Sequence, residues 1–393
     1  MTDDQDARSP FPLVGMVGAG QLARMTYQAS IPLGVRLRVL ADTAGDSAAQ
    51  VCPDVRLGDY RNLDDLLAFA AGCDVVTFDH EHVPGEHLAA LEAAGVRLAP
   101  GGAALRYTQD KLAMRAELTR LGVPCPRFAP VADLAGVTRF ADEGAGWPVV
   151  LKAVSGGYDG RGVWVCDDAF AAGEVLAHGI ALLAEEYVPF GRELAALVAR
   201  SPHRQGAAYP VVETVQRDGV CHEVLAPAPG LSPALAEDAQ RLALEVADAL
   251  GVTGLLAVEL FECGGPLLVN ELAMRPHNSG HWTIEGARTS QFEQHLRAVL
   301  DLPLGAPQPV AGQTVMVNVF GAHDPDLYDK YIHVMAADPG VKVHIYGKAV
   351  RPGRKIGHVT VTGSGDGQEN VLALRDRALR AASYLATGKE RGE

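Results

Sequence analysis

Two apolar segments joined by a short glycine-containing turn constrain the fold of this chain most strongly. Residues 254–261 and 266–271 predict the strands of an antiparallel hairpin, and each strand carries one glutamate among apolar residues. A turn centred on Gly265 would place Glu259 directly opposite Glu271, with Cβ atoms about 5 Å apart. Facing carboxylates repel each other unless a cation lies between them. Mg²⁺ is commonly held by one or two carboxylates together with substrate phosphates, so the hairpin predicts a magnesium site.

The neighbours of the two glutamates bear on whether this pair is buried. Four leucines, at positions 255, 256, 267 and 268, flank them and favour burial. Asn270 would point to the opposite face of a regular strand, so it joins the same site only if a bulge or the strand end reorients it. Two solvated glutamates are the alternative interpretation.

A second segment carries residues suited to phosphates. Lys152 ends a predicted strand over 147–153, and the loop after it holds Tyr158, Asp159 and Arg161 among glycines. Backbone N–H groups of such a loop can fold over phosphates, while the lysine supplies a point charge. The loop lacks the Gly-Lys-Ser/Thr ending of a P-loop, and an exposed hairpin loop is the alternative.

A polar run follows the hairpin at once and would therefore lie beside the proposed metal. Residues 275–283 are Arg-Pro-His-Asn-Ser-Gly-His-Trp-Thr, in which proline and glycine predict a loop. Functional residues concentrate on such loops. A zinc site on His277 and His281 would require the helical spacing that a loop does not provide, so zinc is disfavoured.

The first hundred residues alternate short apolar strands with helical patterns, which predicts a parallel sheet. Strands are predicted at 13–17, 35–40 and 74–78. The turn after the first strand is Gly18-Ala-Gly-Gln-Leu-Ala and opens a helix, whose free N–H groups favour an anion. A dinucleotide, with Asp42 after the second strand, another phosphate-bearing ligand and a plain tight turn all remain open for this motif.

Charge and cysteine content narrow the function classes. With 34 Lys+Arg against 48 Asp+Glu, the net charge of −14 disfavours nucleic-acid partners and anionic membranes. One basic cluster from Lys348 to Lys355 is either solvated surface or a phosphate anchor. The six cysteines have no Cys-x-x-Cys spacing, and no apolar run reaches ~18 residues. We therefore expect a cytoplasmic protein with reduced cysteines and no membrane span.

Three strings occur together and in order, and they make the chain resemble a known family. They are Gly-Gly-Tyr-Asp-Gly-Arg-Gly at 156–162, the polar run at 275–283 and Arg-Pro-Gly-Arg-Lys-Ile-Gly-His at 351–358. With the paired glutamates they are similar to ATP-grasp enzymes, and closely to the N5-carboxyaminoimidazole ribonucleotide synthetases of purine biosynthesis. The resemblance covers roughly residues 13–362.

The resemblance implies a mixed α/β (α+β) fold of ATP-grasp architecture in three domains. Residues 1–105 would form an N-terminal pre-ATP-grasp domain with a doubly wound parallel sheet. Residues 106–300 would form the ATP-grasp domain, with a lid at about 125–190 and a central antiparallel sheet. Residues 311–393 would form a small β-rich C-terminal domain with a closing helix.

The resemblance also implies a role for each candidate residue. The residues implied for ATP are Arg106, Lys152, Gly157, Tyr158, Asp159, Gly160, Arg161, Gly162, Val163, Glu185, Glu186, Tyr187, Val188, Glu193, Gln216, Asn270 and Glu271. Those implied for the aminoimidazole ribonucleotide are Gly20, Gln21, Leu22, Glu81, Tyr158, Asp159, Arg161, Lys348, Arg354 and Lys355. The implied catalytic residues are Arg275, His277, Asn278, Ser279 and His281, and the implied ligands of Mg²⁺ (or Mn²⁺) are Glu259 and Glu271.

The implied activity is carboxylation of the ribonucleotide's exocyclic amine with ATP and bicarbonate, in a homodimer. The chain departs from the family pattern in three places: Gln216 replaces a histidine, Met274 replaces a proline, and Ala19 and Ala23 replace glycines. These departures weaken the roles implied at those positions and leave the implied activity unchanged. Formate-dependent glycinamide ribonucleotide transformylase, an NAD-dependent oxidoreductase and a non-catalytic nucleotide-binding regulator are the alternatives.

Overall fold

The N-terminal part is a parallel four-stranded sheet with helical crossovers. We describe a computed structural model, which covers residues 10–157, 160–365 and 368–389. Its elements here are β1 (Leu13–Val17), α1 (Gln21–Ser30), β2 (Arg36–Ala41), β3 (Asp54–Leu57), α2 (Leu63–Ala70), β4 (Val75–Phe78) and α3 (Gly85–Ala93). The strand order is β3-β2-β1-β4, and every pairing is parallel. The parallel sheet predicted from the alternating pattern is confirmed.

Two helices connect this sheet to the rest of the molecule: α4 (Gly102–Gln109) and α5 (Lys111–Arg120). Asp110 lies between them with an extended backbone and caps α5, because its side chain accepts a 2.9 Å hydrogen bond from the N–H of Ala113. Two side chains of α5 enter the functional site described below.

The lid is a separate antiparallel sheet with two helices. It consists of β5 (Phe128–Val131), α6 (Leu134–Phe140), a π-helical turn (Ala141–Ala145), β6 (Val149–Ala153), β7 (Val163–Cys166), α7 (Ala169–Leu176) and β8 (Leu182–Glu186). Its strand order is β5-β8-β6-β7. The predicted strand–loop–strand unit is confirmed as the β6–β7 hairpin, whose tip is the glycine loop.

A larger antiparallel sheet forms the floor of the molecule. Its first strands and accompanying helices are β9 (Arg192–Arg200), β10 (Gly206–Ala208), β11 (Val212–Arg217), β12 (Val220–Ala226), α8 (Pro233–Ala249), β13 (Gly254–Glu262), β14 (Leu267–Ala273), α9 (Thr283–Gly286) and α10 (Gln291–Val299). Ser232 caps α8, and Pro233 stands at its first position. The hairpin predicted around Gly265 is β13–β14.

The C-terminal strands join this same sheet. The last elements are β15 (Gln313–Phe320), α11 (Tyr328–Ala337), β16 (Lys342–Ile345), β17 (Lys355–Gly363) and α12 (Gln368–Thr387). The strand order is β14-β13-β9-β11-β12-β15-β17-β16, with β10 paired to β9. The segment still has its own apolar core, in which Val317, Val361 and Leu374 are buried. The predicted domain boundaries stay predictions, since the sheet itself continues across the last of them.

The largest core packs the N-terminal sheet and helices α4, α5 and α8 against one face of the floor sheet, and holds Phe78, Leu118 and Leu256 at 2% exposure or less. Among the described residues, no helix is both long and apolar enough to cross a membrane.

Candidate active site

One cavity of about 940 Å³ lies where the N-terminal sheet, the lid and the floor sheet meet. Of the predicted site residues, the following line it: Gly20, Gln21, Leu22, Glu81, Lys152, Gly157, Gly160, Val163, Glu185, Glu186, Tyr187, Val188, Glu193, Gln216, Glu259, Asn270, Glu271, Arg275, His277, Asn278, His281 and Lys355. Segments far apart in the sequence therefore converge on one space.

The β13–β14 hairpin brings its two glutamates together as predicted. Glu259 is the cross-strand partner of Glu271, whereas the next residue, Leu260, pairs with Val269. The register therefore shifts by one residue at Asn270, which forms a bulge. Because of this bulge, Asn270 lines the cavity together with both glutamates. The reorientation that Asn270 needed to join the site is thus provided by the backbone.

The two facing carboxylates have opposite electrostatic environments. Burial and the nearby charges of Glu271 and Glu193 raise the pKa of Glu259 well above its usual range. Burial also opposes ionisation of Glu271, but the ammonium groups of Lys111 and Lys152 outweigh it and hold that pKa below its usual value. The Nζ atom of Lys111 lies 2.6 Å from Glu271 Oε1. One carboxylate is thus compensated and the other is not.

These donors fit a divalent cation that also binds phosphate oxygens. Glu259, Glu271 and the Asn270 amide offer oxygen ligands, and a cation would relieve the suppressed ionisation of Glu259. Within the described ranges, no three or more His, Cys, Asp or Glu residues are grouped to hold an ion by themselves.

Lys152 is held beside this pair by a buried ion cluster. Its Nζ atom lies 2.8 Å from Glu185 Oε2 and donates a 3.0 Å hydrogen bond to Asn270 Oδ1. The other Glu185 oxygen accepts from Arg115 Nε at 2.7 Å, and the Arg115 guanidinium also donates to the carbonyls of Val269 and Asn270. Arg115 therefore ties α5, the lid and the bulged strand together behind the cavity.

The end of β8 and the residues after it run along the cavity. Glu186, Tyr187 and Val188 line the cavity, and the backbone N–H of Arg127 donates a 2.8 Å hydrogen bond to Glu186 Oε1. Phe261 and Phe190, also in the lining, stack with ring centroids 4.5 Å apart. Burial raises the pKa of nearby Glu193 to about 7, against the opposing effect of Lys152.

The glycine loop of the lid touches the floor sheet through backbone contacts. Gly160 and Gly219 both have positive φ, of 75° and 73°. A Cβ added to Gly219 would lie 2.6 Å from the Gly160 Cα, so neither position has room for a side chain. The predicted Tyr158 and Asp159 lie outside the described residues.

The polar loop after β14 is anchored to the N-terminal sheet and to the C-terminal strands. Glu81 accepts a 3.1 Å hydrogen bond from the N–H of Met274 and lies 3.3 Å from the Arg275 guanidinium. The amides of Asn278 and Asn318 hydrogen-bond each other in both directions, at 3.1 and 2.7 Å. These contacts fix both ends of the loop against separate parts of the fold.

The histidine of this loop closest to the acid pair is uncharged. Ser279 Oγ lies 2.8 Å from His277 Nδ1, and His277 Nε2 lies 3.5 Å from Glu259 Oε1. Burial, together with the Arg275 and Lys355 charges, lowers the pKa of His277 to about 3. Ser279 is buried and lies outside the cavity lining, so it contacts His277 and not the cavity.

The N-terminal glycine turn forms the opposite end of the cavity. Asp79, at the end of β4, accepts a hydrogen bond from the N–H of Gly20 where α1 begins. Burial raises the pKa of Asp79, although Gly20, Arg275 and Lys348 favour its ionised form. Lys348 donates to the Gln21 side chain from the C-terminal part of the chain, so one basic cluster reaches the glycine turn.

Several predicted residues lie outside the lining. Arg106 is exposed and packs over the Tyr107 ring, with its guanidinium carbon 5.2 Å from the ring centroid. Arg354 is exposed and donates to the Ala349 carbonyl. Arg161, Gly162, Ser279 and Lys348 are also absent from the lining. Lys111 both lines the cavity and contacts Glu271, so it is better placed than Arg106 to contact a ligand in the cavity.

Three family models match the chain in succession. The ribonucleotide synthetase preATP-grasp domain matches residues 12–109, the ATP-grasp domain matches 116–292, and the phosphoribosylaminoimidazole carboxylase C-terminal domain matches 314–370. The N5-carboxyaminoimidazole ribonucleotide synthase of Mycobacterium tuberculosis is 57% identical over 386 residues, which cover 96% of this chain and 89% of the relative. The chain belongs to the N5-carboxyaminoimidazole ribonucleotide synthase family. The family predicted from the motifs is thereby confirmed, and the chain is an ATP-dependent ligase.

Solved structures of this family agree with the fold. The synthetase of Thermus thermophilus is 40% identical and superposes with a TM-score of 0.84 over 95% of this chain and 98% of that one. The synthase of Aspergillus clavatus in complex with ADP and 5-aminoimidazole ribonucleotide is 31% identical, with a TM-score of 0.86 over 95% and 99%. The predicted ATP-grasp architecture is confirmed.

Proposed function

We propose that this synthase-family chain uses ATP and bicarbonate to carboxylate the exocyclic amine of 5-aminoimidazole ribonucleotide, with N5-carboxyaminoimidazole ribonucleotide, ADP and phosphate as products. One observation carries the proposal. The acid pair Glu259–Glu271, the buried Lys152 and the N-terminal glycine turn all border the same cavity. That cavity therefore offers a place for triphosphate at one end and for a phosphorylated substrate at the other.

The lid end would bind ATP. Lys152 and Lys111 would neutralise the phosphates, and the glycine loop of the lid would close over them through its N–H groups. The segment Glu185–Val188 and the Phe190–Phe261 pair border the part of the cavity suited to adenine, and Glu193 borders the part suited to the ribose. A bound Mg²⁺ or Mn²⁺, held by Glu259 and Glu271, would neutralise charge that develops on the phosphates.

The loop 275–281 would bind the bicarbonate. A bicarbonate oxygen attacks the γ-phosphorus while the bond to the β–γ bridging oxygen breaks, which yields carboxyphosphate and ADP. Arg275 would hold this anion by charge, and His277 and the buried His281 would bind it as neutral groups in a site sheltered from water.

The other end would bind the ribonucleotide. Its phosphate would contact the glycine turn at Gly20–Leu22 and the cations Lys355 and Lys348, and Glu81 would accept from its ribose. The exocyclic amine then attacks the carboxyl carbon of carboxyphosphate, or of CO₂ released from it. The bond between that carbon and the phosphate oxygen breaks, phosphate leaves and the amine loses a proton. We further propose a homodimer with a cytoplasmic location, which the free cysteines favour.

The test is ADP formation by the purified protein with ATP, Mg²⁺, bicarbonate and 5-aminoimidazole ribonucleotide. We expect ADP release to depend on both bicarbonate and the ribonucleotide. Release that requires formate and glycinamide ribonucleotide instead would favour the transformylase alternative. An increase of NADH fluorescence on addition of the protein would favour the oxidoreductase alternative.

A further inference from the structure

A buried glutamine on α10 holds the polar loop by both of its side-chain groups. The Oε1 atom of Gln291 accepts a 2.8 Å hydrogen bond from the N–H of His277, and its Nε2 atom donates at 2.8 Å to the His277 carbonyl. Gln291 has no exposed surface. A Cβ added to Gly280 would overlap the Gln291 amide, so this loop glycine makes the close approach possible. Gln291 thus lies directly under the loop proposed to bind bicarbonate.

These two bonds determine which end of the amide is oxygen and which is nitrogen. A backbone N–H can only donate and a backbone carbonyl can only accept, so the amide of Gln291 has one orientation. Its second N–H hydrogen is then directed at the Nδ1 atom of His281, 3.0 Å from Nε2. His281 Nδ1 must accept this bond. In a neutral imidazole the remaining proton consequently lies on Nε2.

The surroundings of His281 keep it neutral. Burial is the largest effect that lowers its pKa well below the usual value, and Lys355, His344 and Arg275 add positive potential. The remaining groups packed against the ring are Phe292, Tyr346 and His358, whose ring centroids lie 5.1–6.4 Å away. His358 is itself buried, and the same effect lowers its pKa. Nothing in this set favours a second proton on His281.

The Nε2 atom of His281 has no hydrogen-bond partner among the described residues, although it is buried and the residue lines the cavity. A buried donor without a partner is unfavourable, so a ligand that accepts a hydrogen bond from it removes that cost on binding. We infer that Gln291 is a positioning residue, which fixes His281 as the Nε2–H tautomer so that it donates a hydrogen bond to the anion formed from bicarbonate. The part concerning the anion rests on the proposed function, whereas the part concerning the tautomer does not.

The first experiment reads the tautomer directly by NMR of protein labelled with ¹⁵N-histidine. The His281 signals are identified by their loss in His281→Gln. We expect the two-bond correlation pattern of an Nε2–H imidazole in the unmodified protein. In Gln291→Glu, a carboxylate replaces the donor next to Nδ1, and the pattern should change to that of an Nδ1–H ring or an imidazolium. An Nδ1–H pattern in the unmodified protein, or no change in the variant, would overturn the inference.

The second experiment measures turnover against a matched control on the same helix. Gln294 is also fully buried and clamps Gly305 by both backbone groups, at 2.8 and 2.7 Å, but lies outside the cavity lining. We expect Gln291→Glu to lower kcat about 100-fold with the KM for ATP within about two-fold, since loss of one preorganised donor to an oxyanion typically costs 10²–10³. Gln294→Glu should leave kcat within about two-fold. Equal losses in both variants would mean that Gln291 acts only on stability and would overturn the inference.

A double-variant cycle separates positioning from other effects of Gln291. In His281→Gln, the side-chain amide supplies a donor near the Nε2 position, and this donor needs no tautomer. In that background, Gln291→Glu should cost less than about three-fold in kcat. An undiminished 100-fold loss would contradict the inference. If Gln291→Glu fails to fold, the spectrum of the unmodified protein still decides the tautomer. If no ribonucleotide-dependent turnover exists, the proposed function fails while the NMR result stands.

Discussion

Two clusters of charged side chains, one buried and one half-buried, lie side by side in this molecule and are built in opposite ways. In the first, here the Glu185 cluster, one carboxylate is shared by Lys152 and Arg115, and all three side chains are 7% exposed or less. In the second, here the Glu259 cluster, Glu259, Glu271 and Glu193 face one another with Lys111 on Glu271. Asn270 contacts the first and lines the cavity beside the second.

The comparison indicates that the charges of the Glu185 cluster stabilise the fold, whereas those of the Glu259 cluster are available to bind a ligand. In the Glu185 cluster every charge has hydrogen-bonded partners, which offsets the cost of burial and fixes three segments in place. In the Glu259 cluster the acids exceed the cation, so ionisation costs free energy until a positive ligand enters. Each of the following predictions changes one of the two clusters and measures the effect on activity or stability.

The largest effect is expected for Glu259→Gln, which abolishes the excess of acid. Loss of this proposed metal ligand should lower kcat/KM by at least about 10³, roughly 4 kcal/mol of transition-state stabilisation. Because the pKa of Glu259 is raised, its ionisation at pH 8 destabilises the folded state. Glu259→Gln removes this cost, so the protein without nucleotide or metal should unfold at a higher temperature at pH 8. Activity assays and thermal melts without nucleotide or metal test both parts.

Glu262→Gln, on the same strand but paired with Arg192, is the control for this change. It should retain activity and should not raise the unfolding temperature. A Glu259→Gln variant that is active, or that is less stable than the parent at pH 8, would remove the contrast between the clusters.

Arg115→Met should damage the compensated cluster next most strongly. It leaves the buried Glu185 with Lys152 alone and two strand carbonyls without their donor. We expect the free energy of unfolding to fall by about 3–5 kcal/mol, measured by urea denaturation. Arg120→Met on the same helix, which breaks only an exposed pair with Glu117, should cost less than about 1 kcal/mol. Similar losses for the two variants would show that burial does not matter here.

Lys111→Met should increase the excess of negative charge in the Glu259 cluster. Without the ammonium group, Glu271 loses its nearest cation, and ATP phosphates lose one positive partner. The KM for ATP should rise about ten-fold, or roughly 1.4 kcal/mol, with a smaller change in kcat. Lys111→Arg should restore most of the affinity. An unchanged KM in Lys111→Met would exclude Lys111 from the phosphate site.

The smallest effect is expected in the pH dependence of Glu193→Gln. Burial raises the folded-state pKa of Glu193 to about 7 from a reference of 4.5, so the folded protein holds this proton more tightly than the unfolded chain. The stability contributed by the neutral form is present below pH 4.5 and is lost as the pH rises to 7. The stability of the variant minus that of the parent should therefore grow from pH 5 to pH 8 in urea melts. A constant difference would contradict the assigned environment of Glu193.

The local sequence predicted the β13–β14 hairpin, but it did not predict the basic side chains that contact its second strand. Counting outward from Gly265 predicted the pairing of Glu259 with Glu271, but the register next to the turn would place Asn270 opposite Glu259, and only the bulge at Asn270 brings Glu271 there. Lys111 and Arg115 reach the same strand from a helix about 155 residues earlier, where they carry no more local signal than other basic helical residues. Such long-range contacts depend on how the sheet and helices pack, which no local pattern specifies.

The basic run near the C-terminus illustrates the same limit within one segment. The sequence pattern left solvated surface and a phosphate anchor open for this run, and the family resemblance implied that Lys348, Arg354 and Lys355 contact one ribonucleotide. In the fold, Lys355 lines the cavity, Lys348 contacts Gln21, and Arg354 points to its own loop and to solvent. A strand and the turn before it direct neighbouring residues to different sides, so clustering in sequence does not ensure clustering in space.

The hydrogen bonding of β15 to β12 sets where this chain can be shortened. The match to the ATP-grasp model ends at residue 292 and the match to the next family model begins at 314, so a cut between them would separate the two matched regions. A chain that stopped before Gln313 would leave the backbone groups of β12, from Glu223 to Ala226, without the neighbour that now covers them. Such a bare strand edge invites pairing with other molecules. The segment that begins at Gln313 therefore protects a strand edge and also contributes residues to the cavity. Its removal should cause aggregation, which would prevent any measurement of catalysis.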